Sequence, residues 1–205
     1  MIDDGKKIVL ASSNQGKLRE IKAIFAEQPY ELVPQKEFAV SDADETGLTF
    51  VENALIKARH AAEHTGHIAL ADDSGIEVDY LKGAPGIYSA RYAGQPCNDQ
   101  ANNDKLLSEL IDVPKELRTA RFQCVLVLVR HAKDPMPLIC SGTWEGVIVE
   151  QSTGKNGFGY DPLFHVPTHG CTSAELPPEI KNELSHRGQA LRELAKKFPG
   201  YLSHS

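Results

Sequence analysis

Apolar residues along this chain fall into short runs divided by polar or glycine-rich turns, and their spacing alternates between strand and helix periods. Lys7-Ile8-Val9-Leu10-Ala11 is an apolar run that stops at Ser12-Ser13-Asn14. Leu18, Ile21, Ile24 and Phe25 then recur at helical spacing, with Arg19, Glu20 and Lys22 on other sides. The pattern predicts a strand, a polar turn and a helix. A second extended piece is expected from Tyr30 to Pro34. Thr49-Phe50-Val51-Glu52 has the form of a capping box, in which Thr49 accepts from the Glu52 amide and Glu52 reaches back. That helix should run to Thr65, with Gly66 as its stop. Phe50, Val51, Ala54, Leu55, Ala58 and Ala62 are expected to be buried on it, and Asn53, Lys57 and His64 to lie on a more polar stripe.

Ile68-Ala69-Leu70-Ala71 reads as a buried strand ending in Asp72-Asp73-Ser74-Gly75, and the alternation from Ile76 to Tyr80 continues the sheet. Gly83-Ala84-Pro85-Gly86 predicts a turn. Asp99 is expected to cap a helix carrying Leu106, Leu107, Leu110 and Ile111, stopped by Pro114. Arg121 to His131 gives the strongest strand signal, with Leu138 to Glu150 as its partner across Pro135-Met136-Pro137. Gly157 to Pro162 is a loop before a strand at Leu163 to Val166. Helical material follows from Pro178 to Phe198, interrupted near Ser185-His186-Arg187-Gly188. No repeat or linker divides the chain. The order predicts one α/β domain over residues 1–205 with a mixed sheet.

Composition narrows the function. The chain has 205 residues, 22 Lys+Arg against 28 Asp+Glu, and a net charge of −6. That balance argues against a broad surface for a nucleic-acid polymer, though not against a small phosphorylated ligand held by a few local cations. The longest apolar run, Cys124 to Val129, falls far short of the roughly 20 residues a membrane span needs. Met1 to Lys7 contains no apolar stretch behind a basic start, so no signal peptide is expected. Cys97, Cys124, Cys140 and Cys171 are too widely spaced for a CxxC motif, and Cys124 reads as a small core residue. A reduced, cytoplasmic protein is the expectation.

Several segments carry candidate chemistry. Ser12-Ser13-Asn14-Gln15-Gly16-Lys17 lies where a strand meets a helix start, whose open amides and dipole suit an anion. It is not a Walker A loop, because Ala11 stands in place of the first glycine and Leu18 follows the lysine. The alternative is an ordinary N-cap with a solvated Lys17. Asp72 and Asp73 follow a buried run, so their desolvation calls for positive charge, such as a hard divalent cation. Successive strand residues face opposite ways, so both can serve one ion only if a turn has begun; otherwise one has a structural task. The bland reading is a turn with solvated acids. Asp42, Asp44 and Glu45 form an acidic loop that matters only if folding brings Glu45 to Asp73. His60-Ala61-Ala62-Glu63-His64 matches a zinc-peptidase pattern but has no supporting feature, and is read as a decoy. Phe158 and Tyr160 on a glycine-hinged loop suit stacking on a base, or plugging the core. Ser185-His186-Arg187 suits a base or phosphate, or a capped helix end; Trp144 reads as packing.

Taken in order, SSNQGK (Ser12–Lys17), ETGLTFVENALIKA (Glu45–Ala58), ADDSG (Ala71–Gly75), GAPGIYSAR (Gly83–Arg91), GFGYDPLF (Gly157–Phe164) and ELPPEIKNELSHRGQAL (Glu175–Leu191) resemble the Ham1/RdgB family of inosine triphosphate pyrophosphatases, also called dITP/XTP pyrophosphatases. The match spans nearly the whole chain and departs at Ile180, where the family commonly has an acidic residue. The resemblance implies an elongated mixed sheet with flanking helices, two lobes around a nucleotide cleft, and a homodimer. It implies Mg²⁺-dependent hydrolysis of non-standard purine nucleoside triphosphates to the monophosphate and pyrophosphate. By motif, Ser12, Ser13, Asn14, Gln15, Gly16 and Lys17 hold phosphates and Lys57 touches another. Glu45 and Asp73 sit at Mg²⁺, Asp73 is the general base, and Ser74 contacts the ligand. Phe158, Gly159, Tyr160 and Asp161 line the base pocket, and Lys181, His186 and Arg187 close the site. A nucleotide sensor that does not hydrolyse, and a metal phosphatase releasing terminal orthophosphate, are the alternatives.

Overall fold

The structure, a computed structural model, describes residues 7–26 and 29–202. Of the segment read for a leader, Met1 to Lys7, residues 1–6 lie outside the described residues. The elements are β1 (Lys7–Leu10), α1 (Gln15–Phe25), β2 (Glu31–Pro34), α2 (Phe50–Thr65), β3 (Ile68–Val78), α3 (Asp99–Glu109), β4 (Thr119–Val129), β5 (Leu138–Ile148), β6 (Phe164–Val166), β7 (Cys171–Thr172), α4 (Pro178–Leu184) and α5 (His186–Leu202). The strands form one sheet in the order β2-β1-β3-β4-β5-β6-β7. It is mixed, as expected. β1 runs parallel to β2 and β3, which helical crossovers require, while β5-β6-β7 pair antiparallel through short connections.

Two compact units are distinguished among the described residues: residues 7–26, 29–73, 124–142 and 187–202, and residues 74–123 and 143–186. In the first, alternation along β1 and β3 sorts side chains onto two faces. Ile8, Leu10 and Leu70 pack with Leu18, Ile21 and Phe25 of α1 and with Leu191, Leu194 and Phe198 of α5. Val9, Ala11, Ala69 and Ala71 pack against Ala54, Ala58, Ala61 and Ala62 of α2. Small residues on both sides of that seam let α2 lie close to the sheet. In the second unit, Phe122, Trp144 and Phe164 form an aromatic knot around which Ile76, Leu106 and Leu110 pack. Trp144 is packing.

The structure corrects several local expectations. β3 does not end at Ala71 but continues through Asp72, Asp73 and Ser74 to Val78. The strand persists because each carboxylate finds a cation on its own side, which removes the reason to turn toward water. Asn98, not Asp99, caps α3, accepting from the Ala101 amide. Ile111 lies beyond the helix end and is exposed. On α2, Asn53 is buried and belongs to no polar stripe, because its amide group fastens the loop before the helix.

Candidate active site

Asp72 and Leu70 share a face of β3, so Asp72 points toward α1 and α5. Its Oδ1 lies 2.6 Å from Lys17 Nζ, and its Oδ2 accepts from Arg187 Nε at 2.8 Å and from Cys124 Sγ at 3.3 Å. Arg187 also pairs with Glu20 of α1. Burial opposes ionisation of Asp72, but Arg187 and then Lys17 outweigh it and hold the carboxyl well below its usual range. Lys17 is therefore not a solvated side chain, and Cys124 is more than core filler. Arg187 is held by two carboxylates, which is the structural task foreseen for one member of the Asp pair.

The segment leading into α1 is fixed by its own side chains. Asn14 is the N-cap and its Oδ1 accepts from the Lys17 amide at 3.0 Å, while Ser12 Oγ accepts from the Asn14 amide at 3.2 Å. The Gln15 side-chain amide donates to the Ser13 carbonyl. Ser13, Asn14 and Gln15 are exposed and Gly16 is buried. This presents an N-terminal helix end of positive potential with Lys17 beside it.

Asp73 and Ala71 share the opposite face, toward α2. Lys57 Nζ lies 2.7 Å from Asp73 Oδ1 and 2.9 Å from Glu45 Oε1, so one ammonium joins carboxylates 28 positions apart. Asp73 Oδ2 is buried and has no hydrogen-bond partner. Burial raises the Asp73 pKa, Lys57 and Lys17 pull against it, and Glu45 adds to the rise. Burial pulls the Lys57 pKa down, but Asp73 and Glu45 outweigh it and leave the ammonium more basic than usual. Glu45 is steered by its neighbours. Asn53 Oδ1 accepts from the Gly47 amide at 2.8 Å, and a Cβ on Gly47 would sit 2.6 Å from Glu52 Cβ, so only glycine fits this approach. Thr49 caps α2 as expected, accepting from the Glu52 amide at 3.3 Å, while Glu52 reaches back to the Thr49 hydroxyl and to the Leu48 amide at 2.9 Å.

Asp42 and Asp44 are exposed, and Asp42 accepts from Gln35. His60 and His64 bind the backbone carbonyls of Ser41 and His60. Among the described residues no three of His, Cys, Asp and Glu gather as a metal set. Glu45 and Asp73 offer hard oxygen donors, one of them buried and bare. That fits an ion such as Mg²⁺, which keeps several waters and takes only one or two carboxylates from a protein.

In the second unit, Asp161 anchors the aromatic loop. Its Oδ2 accepts from the Phe158 amide at 2.8 Å and from Lys181 Nζ at 2.6 Å, and its Oδ1 accepts from Ser173 Oγ at 2.7 Å. Gly157 has φ +77°, and a Cβ there would lie 2.1 Å from Asp161 Oδ2. Lys181 Nζ stands 5.1 Å from the half-buried Phe158 ring. Tyr160 plugs the core, and its hydroxyl donates to the Ser89 carbonyl. His186 stacks on Phe122 at 4.8 Å and 12°. Ser74 is half-buried on β3.

These motifs also match known proteins. A sequence model of the Ham1 family matches residues 8–197. The chain belongs to the Ham1 family. A dITP/XTP pyrophosphatase of Vibrio vulnificus strain YJ016 is 60% identical over 189 residues, covering 92% of this chain and 94% of its own length. One from Vibrio cholerae is 59% identical, covering 93% of this chain and 96% of its own. A solved HAM1 protein from Coxiella burnetii superposes with TM-score 0.88 at 50% identity, covering 95% of this chain and 98% of that one. Within this Ham1-family fold, reading the residues alone missed Glu20, Asn53, Asp99 and Asn103. Glu20 reads only as a residue off the apolar side of its helix, since its partner Arg187 is distant in the chain, and Asn53 reads as polar although its partner Gly47 is only six residues away. The adjacent Asn102-Asn103 inside a helix, where asparagine is a poor former, is a signal that was legible.

Proposed function

We propose that this chain hydrolyses non-canonical purine nucleoside triphosphates (ITP, dITP and XTP) to the monophosphate and pyrophosphate. The observation that carries the proposal is the Glu45–Lys57–Asp73 cluster, with one buried carboxylate oxygen unpartnered beside a charge-sharing lysine. The names of the relatives agree with it. In this reading the helix-start segment Ser12 to Lys17, with the Lys17 and Lys57 ammonium groups, receives phosphate oxygens. Asp73, made more basic by burial, takes the proton from a water that attacks the innermost phosphorus, and pyrophosphate leaves. A hard divalent cation such as Mg²⁺, bound by Glu45 and Asp73, would offset the negative charge of the phosphates. Asp72 and Arg187 hold Lys17 in place.

The aromatic loop from Phe158 to Asp161 reads the base, with Lys181 beside it and His186 as a further contact. Hypoxanthine and xanthine offer an acceptor at position 6 where adenine offers a donor. A pocket supplying buried donors leaves them unpaired against adenine, which costs several kcal/mol, about 10⁴-fold in rate. The test incubates the purified chain and Mg²⁺ with ITP, dITP, XTP, ATP and GTP, and identifies products. Pyrophosphate released much faster from the first three, and halted by EDTA, supports the reading. Orthophosphate with a diphosphate product indicates a phosphatase instead, and unchanged ITP a sensor.

The assembly in this reading is a homodimer in the cytoplasm. The four cysteines are free thiols, and among the described residues no helix is long and apolar enough to cross a membrane. Light scattering in solution checks the dimer.

A further inference from the structure

The start of α3 carries no assigned task, yet it grips the middle of the aromatic loop. Asp99 Oδ2 accepts from the Gly159 amide at 2.8 Å, and Asn103 Nδ2 donates to the Gly159 carbonyl at 3.0 Å. Residues four apart on a helix lie on one side, so a single helix face holds both groups. These two groups belong to successive peptide planes, so fixing both sets φ and ψ of Gly159. Gly159 lies at φ +60° and has no side chain to restrict it, making it the freest joint of the loop. Tyr160, on one side of that joint, is anchored in the core by Ser89. The direction of Phe158, on the other side, then depends on the Gly159 dihedrals.

The same helix is itself anchored. Asn102 accepts from the Ala93 amide at 2.7 Å and donates to the Ala90 carbonyl at 3.1 Å, tying α3 to the segment after Gly83-Ala84-Pro85-Gly86. Asn103 is buried, so its amide group is not a solvated ornament. A rigid helix on one side and Asp161 on the other leave the loop one conformation.

We propose that Asp99 and Asn103 are specificity-positioning residues: by fixing the backbone of Gly159 they aim the Phe158 ring at the purine. The inference rests on the proposed base-reading role of this loop. It predicts that loosening the clamp weakens recognition of the preferred base while the chemical step proceeds as before.

The experiment measures kcat and KM for ITP and ATP in the wild-type chain and in Asp99→Ala, Asp99→Asn and Asn103→Asp. Asp99→Ala removes the acceptor, and Asn103→Asp sets a carboxylate against the Gly159 carbonyl. Each should raise KM for ITP about tenfold, with kcat within about twofold, so the ITP:ATP preference in kcat/KM shrinks about tenfold. Asp99→Asn keeps an acceptor and should recover most of the preference lost in Asp99→Ala. Because Asp99 is exposed, its variants serve if Asn103→Asp does not fold. Folded variants that keep the wild-type preference overturn the inference alone, as does an equal fall of kcat on both nucleotides. A wild-type chain without ITP preference overturns the functional reading and this inference with it.

Discussion

Asp72 and Asp73 are adjacent on one strand, both buried, and their surroundings differ in kind. Asp72 meets two cations and a thiol, its charge is more than compensated, and its carboxyl is held well below the usual range. Asp73 meets one cation that it shares with Glu45, keeps a bare oxygen, and has a raised pKa with burial as the leading cause. A buried charge that is fully answered stabilises a structure. One left partly unanswered is held at a cost, and is available to a proton or a metal ion. The two faces of β3 thus separate a fully paired carboxylate from one with an open oxygen within a single peptide step.

The widest separation is expected in turnover. Asp73→Asn should lower pyrophosphate release from ITP by about 10³-fold, within the range of a lost general base, while calorimetry still shows nucleotide binding. Retained turnover would break the comparison on its chemical side. Its stability should not fall at neutral pH, since a carboxylate with a raised pKa is charged there at a cost that asparagine avoids.

Asp72→Asn should behave in the opposite way. It leaves Arg187 and Lys17 without their shared anion and should destabilise the fold by about 3–5 kcal/mol, read from denaturant unfolding. The sign with pH follows from the depressed carboxyl. Its stabilisation is complete above about pH 4, the unfolded value, and is lost as pH falls toward the folded one. The variant should therefore show a flatter acid limb of stability than the wild type. Equal stability losses at positions 72 and 73 would mean that the faces do not differ.

Smaller effects sharpen the picture away from β3. Phe158→Ala should raise KM for ITP about tenfold, consistent with about 1–3 kcal/mol for an aromatic–base stack, with little change in kcat. Asn14→Ala should cost about 1 kcal/mol of stability through the lost cap, visible as a lower Tm. If Asn14 also orients the anion-facing turn, KM rises alongside.

Much of the fold was legible from local patterns. The N-cap at Thr49, the stop at Gly66, the strand from Arg121 and the break at Ser185 all depend on neighbours a few residues apart. The course of β3 was not legible, because two adjacent aspartates in isolation argue for a turn; only Lys17 and Arg187 on one side and Lys57 on the other make a strand tolerable. For the clamp on Gly159 the unusual Asn102-Asn103 pair was visible, but its target was not, since the members lie 56 and 60 positions away.

By itself the order of residues determined most of the elements, the alternation that sends neighbours to opposite faces, and the family, because these are written in short-range spacing and ordered motifs. Which carboxylate is neutralised and which is left partly open was decided only by tertiary structure. Burial and pairing are properties of what surrounds a charge, and for Asp73 the surroundings come from segments that meet only once the chain has folded.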